Sequence, residues 1–127
     1  MWVPRLALLL AATAAVSACA AVVTADDERL RLASPEFRAY VERVFREQNE
    51  LADALAFAVE DRPTPPPAIV AAEQALLGAC NGVNELATAR RDSRRLGMRD
   101  SLDLARSVPE CERAARQAGA VLAPPPK

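Results

Sequence analysis

The stretch SPEFRAYVERVFREQNELADALAFAVED, residues 34–61, indicates a helical fold. It opens as a helix start: Ser34 suits the N-cap, Pro35 the first helical position and Glu36 the positive end of the helix dipole. Beyond this start, one stripe of side chains recurs at alternating spacings of four and three: Phe37, Val41, Val44, Gln48, Leu51, Leu55 and Ala58. The spacing predicts an amphipathic helix of about seven turns over residues 35–61.

A proline-rich break and a second helical segment follow. Residues 62–67 hold four prolines, which lack backbone donors and predict a stiff, extended connection between antiparallel helices. The second helical segment is predicted over residues 68–96, and Gly97 is expected to end it as a C-cap. Its apolar stripe consists of Ile69, Leu76, Cys80, Val83 and Ala87.

Some polar and small residues interrupt these stripes. Gln48 is expected to find a hydrogen-bonding partner in the core, with a register-setting or ligand role as the alternative. The Asn81-Gly82 pair is a turn signal, so residues 68–96 form either one helix or two shorter ones. Gly78 and Gly82 are four residues apart and would instead permit the close approach of another helix.

A third helical segment is predicted over residues 101–122. Its stripe again alternates spacings of four and three: Leu104, Val108, Cys111, Ala115, Ala118 and Leu122. Pro109 lies inside it, and Ser107 with Glu110 fits a capping box. The segment therefore either continues through the proline or breaks near Arg106 and restarts at Val108.

The N-terminus has the features of an export signal. Arg5 precedes an uncharged run, and small residues follow that run. The run extends from Leu6 to about Thr24, but its second half is rich in alanine. A membrane-spanning helix needs about 20 strongly apolar residues, so we favour a cleaved signal over a span.

The sequence Val16-Ser17-Ala18-Cys19 resembles the lipobox of bacterial lipoproteins, in which an aliphatic residue and two small residues precede a cysteine. The resemblance implies lipidation of the Cys19 thiol, cleavage before it and a membrane-held mature chain. Ala20 follows the cysteine where inner-membrane retention in Gram-negative bacteria uses Asp, which favours the outer membrane, facing the periplasm. Ordinary secretion, with cleavage after Ala18 or Ala20, is the alternative.

Three cysteines fit this interpretation. With Cys19 lipidated, Cys80 and Cys111 remain as an even pair in an oxidising compartment, where a disulfide is expected. Both lie on apolar stripes, at similar heights on either side of the turn near Gly97. The predicted bridge would staple a core that is rich in alanine and poor in aromatic residues.

The composition argues against catalysis. The chain has no histidine, which removes the commonest general base and most zinc or haem ligation. No acid/base pair, phosphate-binding glycine loop or calcium loop stands out, so we expect no enzyme activity, metal or cofactor. Charge is polarised: residues 19–89 carry six Arg and twelve acids, a net charge of −6, whereas residues 90–127 carry nine basic residues and five acids, a net charge of +4.

The sharpest surface signal is a cluster of five arginines, which we call the arginine cluster: Arg90, Arg91, Arg94, Arg95 and Arg99. Spacings of three and four predict that Arg90 or Arg91 shares a helix face with Arg94 or Arg95. Such a face would bind lipid or lipopolysaccharide phosphates or an acidic protein. The alternative is a solvated face that pairs with Glu36, Glu42, Glu47 or Asp92. Nucleic acid is disfavoured because no stacking aromatics accompany the arginines.

The predicted organisation is a signal peptide (1–18), a lipidated N-terminus and tether (19–33), a helical domain (34–122) and an extended tail (123–127). Within the tether, the charged residues 26–32 suit a short helix. As a flexible coil the tether would span roughly 20 Å and keep the domain near the lipid surface.

The predicted fold is all-α, a small three-helix up-down-up bundle with one interhelical disulfide. The predicted function is that of an envelope lipoprotein that acts as a non-catalytic scaffold or assembly module for another envelope protein. The alternative is a binding module for anionic envelope ligands that uses the arginine cluster. A monomer and a dimer that shares its core both fit the pattern.

Overall fold

A computed structural model of the chain describes residues 20–60 and 62–124, so the predicted signal peptide and Cys19 lie outside the described residues. A two-stranded hairpin, β1 (Ala21–Val23) and β2 (Arg29–Arg31), leads into three helices. These are α1 (Pro35–Val59), α2 (Pro67–Arg91) and α3 (Met98–Leu122). The predicted three-helix bundle is confirmed, and so is the disulfide, which joins α2 to α3.

Helix α1 begins where the sequence predicts. The Ser34 hydroxyl accepts a hydrogen bond from the backbone N–H of Phe37 at 3.1 Å, and Pro35 opens the first turn. The predicted stripe faces the core, with Val44 and Leu55 fully buried. Gln48 is buried as well, and its amide donates to the Asn84 side chain at 2.8 Å, which supplies the expected core partner.

Helix α2 is one helix, but it ends five residues earlier than predicted. After Arg91, Ser93 adopts a left-handed backbone with φ of 52°, and the N–H of Arg94 donates to the Ala89 carbonyl at 2.8 Å. This is a Schellman motif, which terminates a helix even though serine replaces the usual glycine. Gly97, expected as the C-cap of α2, is instead the N-cap of α3.

Helix α3 continues through Pro109, so the break considered near Arg106 does not occur. Proline removes one backbone donor from the helix, and the predicted capping box is absent. Instead, the Ser107 hydroxyl donates to the carbonyl of Leu104 at 2.6 Å, in the turn before the proline. Pro109 itself is buried in the bundle.

Helices α2 and α3 pack closely against each other. The Cα atoms of Cys80 and Cys111 are 4.5 Å apart, and both side chains are fully buried. One turn away, a Cβ atom added to Gly82 would lie 2.1 Å from the Ser107 hydroxyl oxygen and 2.9 Å from the Ser107 Cβ. Gly82 therefore permits the close helix approach, whereas Gly78 faces open space.

The two glycines provide a matched test of this contact. Gly82→Ala is expected to lower the free energy of unfolding by about 1–2 kcal/mol, because overpacking outweighs the gain in helix propensity. Gly78→Ala on the same helix is expected to raise it by about 0.5–1 kcal/mol, since only the propensity gain applies. Chemical denaturation of both variants measures the difference, and equal effects would show that Gly82 is not a packing contact.

The stretch expected to be a tether is folded onto the bundle. Val22 and Leu30, paired across the hairpin, are 4% and 8% exposed. The Thr24 hydroxyl accepts from the N–H groups of Asp26 and Glu28, and Asp27 takes a left-handed backbone with φ of 62° to complete the turn. The expected short helix over residues 26–32 is therefore not formed, and the hairpin packs against the helices.

Candidate binding groove beside the N-terminus

A groove of about 490 Å³ lies where the hairpin, the start of α1, the end of α2 and the start of α3 meet. Its volume falls in the range of about 300–1,000 Å³ that is typical of small-molecule sites. Most of its described lining residues are apolar: Ala20, Leu32, Ala33, Phe37, Leu86, Ala89, Leu96, Met98, Leu102 and Ala105. The polar ones are Arg90, Arg94 and Ser101. Such a groove suits a ligand with an apolar body and an anionic group.

The two arginines reach the groove from different kinds of structure. Arg90 lies in the last turn of α2, is exposed, and forms no ion pair with any described residue. Arg94 follows the Schellman turn and donates to the Glu85 carboxylate, with both side chains about half exposed. The groove therefore carries one arginine without a described carboxylate partner and one whose partner is solvated and exchangeable.

The arginine cluster is not the single helix face that its spacing predicts, because α2 ends at Arg91. Arg94 and Arg95 lie in the loop between α2 and α3, and Arg99 lies in the first turn of α3. Of the five, the groove brings together Arg90 and Arg94. Arg91 instead pairs with Asp92 at 3.0 Å, and Asp92 is one of the acids expected as a partner of the arginine cluster. The Glu85 partner of Arg94 was not foreseen.

Ala20 places the groove at the N-terminal end of the folded domain. This residue lines the groove, and its carbonyl accepts a hydrogen bond from the N–H of Leu32 at 3.1 Å. Cys19 precedes Ala20 in the chain and lies outside the described residues.

A buried carboxylate holds the hairpin in this position. Glu112 of α3 is fully buried, and its oxygens accept from the Tyr40 hydroxyl at 2.7 Å, from Arg43 at 2.8 Å and from Arg116 at 2.9 Å. It also accepts from the backbone N–H of Ala25 in the hairpin turn at 3.1 Å. One side chain thus connects the hairpin, α1 and α3.

The surrounding groups extend this carboxylate cluster. Arg116 makes a two-point contact with Asp26 of the hairpin turn, at 2.8 and 2.7 Å. The Arg43 guanidinium also lies 5.3 Å from the centre of the Tyr40 ring, within cation–π range. Because its contacts are made within the domain, we assign this cluster a structural role in docking the hairpin rather than a role in chemistry.

The cluster also sets the charge state of Glu112. Burial raises the pKa of this carboxyl, but the hydrogen bonds from Tyr40, Arg43 and the Ala25 N–H outweigh burial and hold the pKa below its ordinary value. Burial, followed by the hydrogen bond to Glu112, raises the pKa of Tyr40. Glu112 is therefore an anion and Tyr40 a neutral donor at neutral pH.

The burial of Glu112 was not predicted, although the sequence contains a signal for it. Glu112 follows Cys111 and lies four residues after Val108, so an acid occupies the apolar face of α3. An acidic residue at such a position needs buried partners. Within residues 20–60 and 62–124, no buried side-chain nitrogen or oxygen lacks a hydrogen-bonding partner.

Across the described part of the chain, no group of three or more histidine, cysteine, aspartate or glutamate side chains is placed to hold a metal ion. No helix there combines the length and apolar character needed to cross a membrane. In comparisons with known proteins, no family model, curated protein or solved structure matches this chain.

Proposed function

We propose that this protein is a lipid-anchored component of the bacterial cell envelope, whose helical domain binds an anionic envelope ligand at the groove and carries out no catalysis. The observation that carries the proposal is the groove itself, an apolar recess with Arg90 and Arg94 on its lining. The anchor rests on the lipobox resemblance at Cys19, which lies outside the described residues.

The position of the groove supports the link between anchor and ligand. Because the hairpin is docked from Ala21 onward, little free chain separates a lipid on Cys19 from the folded domain. The domain would lie against the membrane surface with the groove at its near end. Phosphate groups of lipids or of lipopolysaccharide are the anions concentrated there, and arginine binds phosphate through paired N–H donors.

Vesicle flotation tests the anionic ligand. The domain is exported with Cys19→Ser behind an ordinary cleavable signal, so that no anchor contributes, and is mixed with vesicles of phosphatidylglycerol or phosphatidylcholine. We expect flotation with the anionic vesicles only. Arg90→Gln with Arg94→Gln should weaken the apparent affinity about 30-fold, since each arginine near an anionic surface contributes about 1 kcal/mol.

A matched variant controls for net charge. Arg46 and Arg113 are exposed and do not line the groove, so Arg46→Gln with Arg113→Gln removes the same charge elsewhere. This control should bind nearly as well as the unaltered domain. Equal losses in the two double variants would mean that only the overall charge matters, and the groove would lose its assigned role.

The scaffold function predicted from the sequence is kept as the second candidate. Phe57 is 78% exposed and Leu77 is 55% exposed, and both are large apolar side chains on helix surfaces. Such residues also occur singly on monomeric proteins, so they support a protein partner less strongly than the groove supports an anionic ligand. Crosslinking in cells, followed by mass spectrometry, would recover a reproducible envelope protein if the scaffold function holds.

A further inference from the structure

We propose that the groove holds one acyl chain of an anionic glycerophospholipid drawn from the leaflet in which the protein is anchored, with the lipid phosphate on Arg90 and Arg94. This inference rests on the proposed function and names the ligand of the same groove. It adds that the ligand is bound by its chain as well as by its charge.

The lining matches the two parts of such a lipid. The Phe37 ring and the buried side chains of Ala89 and Ala105 offer apolar contacts, which favour a hydrocarbon chain over a sugar or a free phosphate. Met98 lies on the lining and is 82% exposed, and a flexible apolar side chain of this kind adapts to a chain of variable shape. A purely electrostatic anion site would not need this surface.

Charge distinguishes the two candidate ligands of the groove, a membrane phospholipid and the protein's own lipid anchor. The acyl chains of a lipid on Cys19 carry no anionic group, so they would leave Arg90 without an anionic partner among the described residues. A phosphodiester supplies one negative charge to a pair of guanidinium groups. Arg90 has no carboxylate partner among the described residues, and Arg94 has only a half-exposed one in Glu85. The phosphate can therefore bind without breaking a buried ion pair.

The place of the groove next to the proposed anchor indicates which leaflet supplies the lipid. Ala20 lines the groove and is covalently next to Cys19, so the anchor and the groove meet the same leaflet. A chain from a neighbouring phospholipid enters the groove while its phosphate stays at headgroup level. This arrangement needs no long excursion of the lipid from the membrane.

Photocrosslinking tests the inference on the lipidated, full-length mature protein. It is reconstituted into vesicles of phosphatidylethanolamine and phosphatidylglycerol, in which the phosphatidylglycerol carries a diazirine within one acyl chain. We expect crosslinks to groove residues such as Leu86 and Leu102. Ser101→Trp should fill the groove and lower the crosslinking yield about tenfold. Ala54→Trp, at an exposed position of α1 away from the groove, should leave the yield unchanged.

A second variant controls for the case in which Ser101→Trp misfolds. If Ser101→Trp lowers the thermal stability, Ala33→Trp at the exposed edge of the groove replaces it, with the same expected loss of yield. Crosslinks that map outside the groove, or a yield that neither variant lowers, would overturn the inference. If flotation still depends on Arg90 and Arg94 in that case, the proposed anionic binding stands and only the acyl-chain site fails. Loss of both signals would overturn both proposals.

Discussion

Replacing both Cys80 and Cys111 by alanine is expected to lower the free energy of unfolding by about 3–4 kcal/mol. The bridge closes a loop with a sequence separation of 31 residues, and in the chain-entropy model a closed loop of that length destabilises the unfolded chain by about this amount. Small domains are stable by only about 5–15 kcal/mol, so the loss takes away a large share of the total. Denaturant titration of the double variant measures it.

Reduction of the unaltered protein provides the control for side-chain volume. Treatment with a thiol reductant removes the bridge but keeps both sulfur atoms, which are fully buried in the core. The reduced protein should lose about the same stability as the double variant. Free thiols in the purified protein, or equal gel mobility with and without reductant, would show that the pair is not bridged.

Glu112→Gln is expected to lower the free energy of unfolding by about 2–3 kcal/mol. Glutamine keeps the shape of the side chain but removes the charge that Arg43, Arg116 and Tyr40 surround. The two arginines are about half exposed, so water partly replaces the lost partner and the cost stays below that of a fully buried broken pair. Glu110→Gln, at an exposed position on the same helix, should change stability by less than about 0.5 kcal/mol.

The same carboxylate predicts an acid-sensitive fold. Because the pKa of Glu112 is lowered in the folded state, its contribution is fully present above the unfolded value, about 4.3, and is lost as the pH falls through the folded value. Asp26, whose pKa is lowered chiefly by its hydrogen bond to Arg116, acts in the same direction. Stability measured from neutral pH downward should fall below about pH 4. The fall should be shallower in Glu112→Gln, and equal slopes would contradict the role of Glu112.

The three helices follow from the sequence because their stripes recur with the helical period over about five to six turns. The Ser34 start and the pairing of Cys80 with Cys111 were also foreseen, since each depends on local chemistry or on a simple count of cysteines. The hairpin was not foreseen. Its strands are three residues long, too short for a period-two pattern to distinguish Val22 and Leu30 from the residues of a charged linker.

The groove could not be predicted, because residue 20 and the segments 32–37 and 86–105, which are far apart in the chain, meet to form it. Spacing placed Arg94 on a helix, but Ser93 ends that helix through a left-handed backbone that serine seldom adopts. The same turn moves Arg94 to the groove, where it lies with Arg90. The anion binding assigned to the arginine cluster is therefore proposed for Arg90 and Arg94 alone, which do not share a helix face.

We propose that the groove end of the anchored domain faces the membrane. A tryptophan used as a depth probe tests this orientation directly. The only tryptophan of the chain is Trp2, within the predicted signal peptide, so an introduced tryptophan would be unique in the mature protein. Met98 lines the groove, whereas Phe57 lies 20 residues beyond groove-lining Phe37 on α1, about 30 Å away along the helix. Both side chains are largely exposed, so replacing them is expected to cost little stability.

The lipidated protein is reconstituted with phospholipids that carry bromine on their acyl chains, which quench tryptophan fluorescence on contact. We expect strong quenching for Met98→Trp, little for Phe57→Trp, and loss of the difference when Cys19→Ser removes the anchor in neutral vesicles. Equal quenching at the two positions, or stronger quenching at Phe57→Trp, would contradict the proposed orientation.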